Sequence, residues 1–170
     1  MEEELINKNN YNGNFRIPIL DGYSLVDNPV KALFVAKAED NSTEQYIEEG
    51  KLRDNESYSE RLQNIIQTQE SLQESHNFQK SPFLFIKDYE TDILKFKIYL
   101  QDNVREGQCI RQLNAYFLDP KSNFIYQIVL SAPPLNIKDI NDNVLKNIYR
   151  RLSTILNNIK YNNQEIKESY

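Results

Sequence analysis

The end of the chain constrains the fold more than any other part of it. An apolar strand pattern covers Phe124–Ser131, the dipeptide Pro133-Pro134 follows, and one amphipathic helix pattern then continues to about Lys160. Proline has no backbone N–H to donate, so the pair stops the strand. A strand that passes to a long helix after such a stop predicts a layered structure of helix and sheet.

The closing helix pattern has a wide apolar stripe with steps of three and four residues. Asp139, Asn141 or Asp142 can cap its start. The stripe consists of Val144, Leu145, Ile148, Leu152, Ile155, Leu156 and Ile159. A coiled-coil seam is the alternative, but a single isolated helix with such a stripe is more often part of a core. We therefore expect this helix to pack against the sheet.

A second helix is predicted in the first half of the chain. Ser57 and Glu60 have the spacing of a capping box, and the apolar positions that follow lie on one helical face up to about Ser75. Before this helix, Phe15–Ile19 alternates like a strand, with Pro18 at an edge or a bulge. The run Ala32–Ala36 predicts a strand buried on both faces. Residues 44–49 suggest either a weak edge strand or a loop.

Four strands are predicted between the two helices. The run Phe83–Ile86 is apolar at every position, so we expect it in a covered part of the sheet. Leu94–Leu100 and Leu113–Phe117 alternate between apolar and polar residues, and Phe124–Ser131 completes the set. Short turns between these strands predict antiparallel neighbours. The fold class is therefore α+β, with an antiparallel sheet of about six strands and two main helices.

Length and composition limit the organisation of the chain. Its 170 residues suit one domain, which we place at residues 14–160, with a disordered polar leader at 1–13 and a frayed tail at 161–170. The net charge of −5 and the lack of a Lys/Arg block argue against nucleic acid. The acidic start is unlike a secretory signal, and no stretch is apolar enough to insert into a membrane. We expect a cytoplasmic protein.

The sequence offers little that could form an active site. His76 is the only histidine and Cys109 the only cysteine, so neither metal ligation nor an intramolecular disulfide is indicated. The four glycines are not spaced as a nucleotide-binding motif, and the acidic pairs lie in turn or cap contexts. We predict no catalytic residue, no metal and no cofactor. An enzyme that uses His76 or Cys109 is the least favoured hypothesis.

Four segments of the chain resemble the PsbP/Mog-like superfamily. They are Phe15–Tyr23, Ser57–Leu62, Ser131–Pro134 and Leu152–Lys160. The opening segment has the family's order of phenylalanine, proline, glycine and an aromatic residue; Asn158 stands where the closing segment has a serine. The resemblance covers roughly residues 14–160 and implies an α/β/α sandwich. It is nearest to the bacterial cytoplasmic effector adaptors, the EagR-like chaperones associated with Rhs-type effectors.

The resemblance implies a function in protein binding rather than catalysis. Similar proteins serve as extrinsic photosystem subunits, as a small-GTPase-binding factor, as periplasmic lipoproteins and as chaperones of the transmembrane segments of secreted effectors. A cytoplasmic acidic chain suits a chaperone or adaptor of a secretion-system effector best, and an immunity protein that neutralises a cognate toxin is the alternative. The partner is then another protein, and a homodimer is left open.

One row of side chains is the first candidate for a partner-binding surface. It combines Tyr, Arg and amide residues, a composition enriched at interfaces. The row is Lys95, Lys97, Tyr99, Gln101, Arg111, Gln112, Asn114 and Tyr116. A plain sheet face, partly covered by a helix, is the alternative interpretation. The acidic segment at residues 39–55, interpreted as a loop, is a second candidate that would suit a basic partner.

Overall fold

The computed structural model describes residues 5–10, 14–27 and 32–162, the first of these ranges as backbone only. The two helices are α1 (Tyr58–Ser75) and α2 (Asp142–Asn157). The strands before α1 are β1 (Leu5–Asn10), β2 (Phe15–Leu20), β3 (Ser24–Val26), β4 (Phe34–Lys37) and β5 (Thr43–Lys51). Those after α1 are β6 (Leu84–Glu90), β7 (Lys95–Arg105), β8 (Gln108–Leu118), β9 (Phe124–Ser131), β10 (Leu135–Asn136) and β11 (Lys160–Tyr161).

An antiparallel sheet of eight strands forms the centre of the molecule. Its order is β3-β4-β5-β9-β8-β7-β6, and β10 pairs with β8 beside this path. All of its pairings are antiparallel. The α+β class with an antiparallel sheet is therefore confirmed. The strands outnumber the predicted six partly because β3 and β10, of three and two residues, are too short to show alternation.

A smaller sheet has the order β1-β2-β11. The prediction of a disordered leader is wrong for Leu5–Asn10, which pair with β2. Residues 1–4 and 11–13 of that leader lie outside the described residues. The prediction of a frayed tail is wrong at its first residue, Tyr161, whose side chain is buried. The centres of the Tyr161 and Phe15 rings lie 4.7 Å apart. Residues 163–170 of the tail also lie outside the described range.

Apolar clusters lie on both faces of the main sheet. Successive strand residues point to opposite faces, so Ala115 and Phe117 of β8 face one cluster while Tyr116 faces the other. We call these the α2 face and the α1 face. The α2 face packs against β2 and the predicted apolar stripe of α2, whose Ile148, Leu152, Ile155 and Leu156 are buried. The α1 face packs against Leu62, Ile65 and Ile66.

Both helices begin where side chains can cap them. The Ser57 hydroxyl oxygen accepts from the Glu60 N–H at 3.1 Å, which confirms Ser57 as the cap. The Glu60 carboxylate accepts from the Ser57 hydroxyl at 2.9 Å rather than from the Ser57 N–H of a full capping box. Asn141, one of three predicted caps, accepts from the Asn143 N–H at 2.9 Å. The helix α2 ends at Asn157 rather than about Lys160, because the next residues form β11. Neither helix is long and apolar enough to span a bilayer, as far as the described residues go.

Two predicted strands occupy different places in the sheet from those expected. The segment around Glu44 is neither an edge strand nor a loop, because β5 lies between β4 and β9. Ser42 and Glu44 are polar but buried, so the sequence of this segment resembled that of an exposed strand or loop. The strand β6 was expected in a covered part of the sheet and instead forms its edge. An apolar run predicts that its residues favour burial, but it does not show whether another element packs over them.

The strand β4 also differs from its prediction. It was expected to be buried on both faces, but Phe34 and Ala36 are buried while Val35 is only half-buried and Lys37 is exposed. It therefore has one buried face, as a strand near the edge of an antiparallel sheet can have. Pro18 was expected at an edge or a bulge, but β2 lies between β1 and β11 and Pro18 pairs with Asn9; the extra residues of the register shift lie in β1, between Leu5 and Asn9.

Candidate partner-binding face

The predicted binding row does not lie on one face of the sheet. Arg111 points to the α2 face, where its guanidinium donates to both carboxylate oxygens of Asp102 at 2.8 and 2.9 Å. The cause is the strand period of two, since Gln112 and Asn114 must point the opposite way from Arg111. Lys97, Tyr99 and Gln101 share the α1 face with Gln112, Asn114 and Tyr116 through their cross-strand pairing. The structure thus separates Arg111 from the rest of the row.

The amide side chains of the row form a hydrogen-bonded network beneath α1. The Asn114 amide donates to Gln101 at 3.0 Å, and Gln101 donates in turn to Asn103 at 2.9 Å. Gln112 closes a ring, since it donates to Gln101 at 2.7 Å and accepts from Asn103 at 3.2 Å. We call this set, together with Gln69, Gln73, Tyr116 and Gln127, the amide network.

The helix α1 enters the amide network through two glutamines. Gln69 donates to Gln127 at 2.8 Å and accepts from the Tyr116 hydroxyl at 2.5 Å. Gln127 also donates to Asn114 at 2.9 Å. One turn further along the helix, Gln73 donates to Asn103 at 3.3 Å. These bonds join α1 to β7, β8 and β9 by polar contacts beside the apolar cluster.

The network accounts for the polar half of the predicted row. Gln101, Asn114 and Tyr116 are buried, and their hydrogen-bonding groups are used inside the molecule. A buried amide whose donors and acceptors are paired stabilises one arrangement of its neighbours. In this conformation these three residues do not face a partner. Of the row on the α1 face, Lys95 is exposed, and Lys97, Tyr99 and Gln112 are half-buried.

An exposed apolar edge lies next to these accessible residues. Leu84 is 54 % exposed and Phe85 51 % exposed at the start of β6. The Phe85 ring meets the Tyr99 ring edge-on at 5.4 Å, and the Lys97 ammonium lies 5.6 Å from the Phe85 ring centre. We call Leu84, Phe85, Lys97 and Tyr99 the β6–β7 patch. Leu84 pairs with Leu100 and points to the α2 face, whereas the other three lie on the α1 face, so the patch extends around the edge of the sheet. The aromatic rings of the patch are of the kind enriched at protein interfaces, whereas lysine is depleted there.

Sequence reasoning missed the apolar half of this patch. Leu84 and Phe85 belong to the run that was predicted to be covered, so neither was considered as a binding residue. A signal was present in the charged residues Lys87 and Asp88 that follow directly, because charges are common on edge strands. The pairing of β6 with β7 also shifts register between Phe85 and Lys87, which leaves Ile86 as an extra residue.

An open cleft borders the patch. It has a volume of about 770 Å³ and lies around the turn between β6 and β7. Tyr58, Asp88, Lys95, Lys97, Leu118 and Pro120 are among the residues that line it. The Tyr58 hydroxyl is buried without a hydrogen-bond partner among the described residues. Lys97 and Asp88 form an exposed ion pair at 2.8 Å on its wall.

The residues considered for catalysis lie in unrelated places. His76 is exposed at the end of α1, where its Nδ1 lies 2.9 Å from the Leu72 carbonyl oxygen. Cys109 is buried on β8, and burial raises the pKa of its thiol to about 11. A thiol with so high a pKa is mostly protonated at neutral pH and is a weak nucleophile. Across the described ranges, no three His, Cys, Asp or Glu side chains are grouped so as to hold a metal ion.

The acidic segment at residues 39–55 is not the loop that was considered as a second binding surface. Most of it forms β5, and its Glu44 is fully buried. Glu49 is half-buried and accepts from Gln69 at 2.9 Å. Only part of its negative charge therefore faces solvent.

Comparison with known proteins leaves the family open. No family model matches the chain, and no curated protein matches it either.

Proposed function

We propose that the chain is a non-enzymatic protein-binding module, acting in the cytoplasm as a chaperone or adaptor of a secreted effector. The observation that carries the proposal is the β6–β7 patch, where Leu84 and Phe85 expose more than half of their surface. The two residues are consecutive in the edge strand β6 and point to opposite faces, so together they expose apolar surface around the edge of the sheet, where another chain can make contact. The resemblance to PsbP/Mog-like effector adaptors supports the same class of function.

The chemistry of the patch suits a partner segment with apolar or aromatic side chains. Phe85 and Tyr99 present ring edges and faces, and Lys97 adds a cation next to them. Aromatic residues of this kind often supply most of the binding free energy at an interface. The neighbouring cleft around Lys95 offers room for a side chain that reaches beyond the patch.

Capture of a partner from the native host tests the proposal. The tagged protein is compared with the variant Leu84→Ser/Phe85→Ser, and any co-purifying chain is identified and then titrated as a purified protein. We expect the double variant to bind at least tenfold more weakly, since loss of an aromatic anchor costs about 2 kcal/mol or more. Leu25→Ser/Val26→Ser is the matched control, because these residues are exposed on the opposite edge strand β3.

The outcome also separates the alternatives. A chaperone keeps its purified partner soluble, whereas an immunity protein rescues growth of cells that express the partner. Equal loss of binding in both double variants would contradict a role of the β6–β7 patch. If no chain co-purifies, the protein-binding function itself is contradicted.

A further inference from the structure

A buried carboxyl group lies between the two sheets. Glu44 of β5 is fully buried, and its Oε1 accepts from the Leu20 N–H of β2 at 3.1 Å. Its Oε2 has no hydrogen-bond partner within the described ranges. A carboxylate in such a place keeps only one of the several hydrogen bonds that it makes in water. Removing it from water therefore favours the neutral form.

The groups that face Glu44 come from several elements. On the same face of the main sheet, β4 places Ala36 opposite and β9 places Leu130, and neither can carry a charge. Along the chain, the neighbours on that face are Ser42, directly before β5, and Tyr46 within it. The charged group of α2 that acts on Glu44 is Arg151, whose field opposes the effect of burial.

A polar cluster continues from this site towards the surface. The Tyr23 hydroxyl and the Ser42 hydroxyl are 2.7 Å apart, and Ser42 donates to Asp40 at 2.6 Å. The Arg151 guanidinium lies over the Tyr23 ring, 5.1 Å from its centre. Burial prevails over the Leu20 hydrogen bond and the charge of Arg151, and it raises the pKa of Glu44 to about 8. Between the ordinary glutamate pKa and about pH 8, Glu44 is thus mostly neutral while other glutamates are charged.

We propose that Glu44 is a proton-dependent latch between the two sheets: its neutral side chain holds the Leu20 end of β2 against β5, and its ionisation loosens that end. The other end of β2 is held separately, because Asp119 accepts from Asn14 at 2.9 Å and from Tyr161 at 3.3 Å. Loosening is therefore local. It would expose part of the apolar cluster on the α2 face, so the latch couples proton concentration to exposed apolar surface.

The sign of the pH dependence follows from proton linkage. The closed state keeps a proton that the open state loses above the ordinary glutamate pKa, so closing is most favourable at low pH. The free energy by which Glu44 favours the closed state falls as the pH rises from the ordinary glutamate pKa to about 8, and it changes little above pH 8. The equilibrium constant for opening should rise about tenfold per pH unit across this window.

Hydrogen exchange measured by NMR on the full chain tests the latch. After correction for intrinsic exchange, we expect the equilibrium constant for opening at the Ile19 and Leu20 amides to rise about tenfold per pH unit across this window. The Arg16 amide, at the end of β2 that Asp119 holds, should show no such rise. Glu44→Gln mimics the neutral side chain and should abolish the slope. Glu48→Gln is the matched control, since Glu48 lies on the same strand and is exposed.

A second measurement does not depend on whether a variant folds. The carboxyl carbon of Glu44 in the unmodified protein should titrate several pH units above the ordinary glutamate value. A midpoint at that ordinary value would overturn the proposal. So would a flat exchange profile at Leu20, or an unchanged slope in Glu44→Gln.

Discussion

At the scale of single residues, amide side chains connect α1 to the sheet, a role that apolar side chains usually have. Gln69 and Gln127 exchange hydrogen bonds between α1 and β9, with Asn114 and Tyr116 as further partners. Such a network is sensitive to the loss of one member, because the remaining groups are then buried without partners. The amide network thus adds polar contacts between α1 and the sheet to the apolar packing of Leu62, Ile65 and Ile66.

Replacing Gln127 with leucine should lower the free energy of unfolding by about 1–3 kcal/mol, because Gln69 and Asn114 lose a partner while the volume hardly changes. Urea unfolding measures the effect. Gln67→Leu on the exposed side of α1 is the control and should change stability by about 0.5 kcal/mol or less. An equal effect of the two substitutions would show that the network does not stabilise the docking of α1.

At the scale of elements, the sequence predicts best where local rules decide the structure. Ser57 and Glu60 predict the start of α1 because a capping box involves only neighbouring residues. The places of β5 and β6 could not be predicted, since they depend on distant partners. Glu44 is buried by β2 and α2, and Phe85 is exposed because nothing in the described part of the chain covers the outer side of β6.

The capping box allows a quantitative test of this local control. Ser57→Ala removes the acceptor for the Glu60 N–H and should cost about 1 kcal/mol in the free energy of unfolding. Ser59→Ala, two residues further along and exposed, should have little effect. Combining Ser57→Ala with Glu60→Ala should cost less than the sum of the single changes, because the two side chains form one unit. Strict additivity in thermal or urea unfolding would contradict this arrangement.

The candidate site was predictable only in part, for a related reason. Alternation along β7 placed Tyr99 and Lys97 on one face, as the structure shows. Alternation could not show that α1 covers Asn114 and Tyr116 on that same face. Alternation along β8 does place Arg111 on the opposite face from Gln112 and Asn114, so at Arg111 the predicted row conflicts with the strand period of two.

At the scale of the whole molecule, Asp119 joins distant parts of the chain. This residue, which follows β8, accepts from Asn14 before β2, from Ser122 in the turn to β9 at 2.6 Å and from Tyr161 of β11. Burial alone would raise the pKa of Asp119, but the hydrogen bonds from Ser122, from the Lys121 N–H and from the other partners together lower it. The charged form is therefore the one that stabilises the fold.

This lowered pKa predicts a loss of stability in acid. A carboxyl group with a depressed pKa contributes stability above its unfolded value, and that contribution is lost as the pH falls through the folded value. Asp119→Asn should lower the free energy of unfolding at pH 7 by about 1–3 kcal/mol and should reduce the further loss below about pH 4. Urea unfolding across pH, with the exposed Asp54→Asn as control, measures both effects. An acid profile unchanged by Asp119→Asn would contradict the assignment.

The extra residue Ile86 in β6 has a consequence for the protein at high concentration. An uninterrupted edge that begins Leu-Phe-Ile would be a template on which identical chains could stack into fibrils. The register shift divides that edge, and the part beyond it carries Lys87, Asp88 and Glu90. Neither part reaches the six or seven residues, with low charge, that are typical of amyloid-forming segments. The chain can thus expose apolar side chains at its edge without offering a growth site for amyloid.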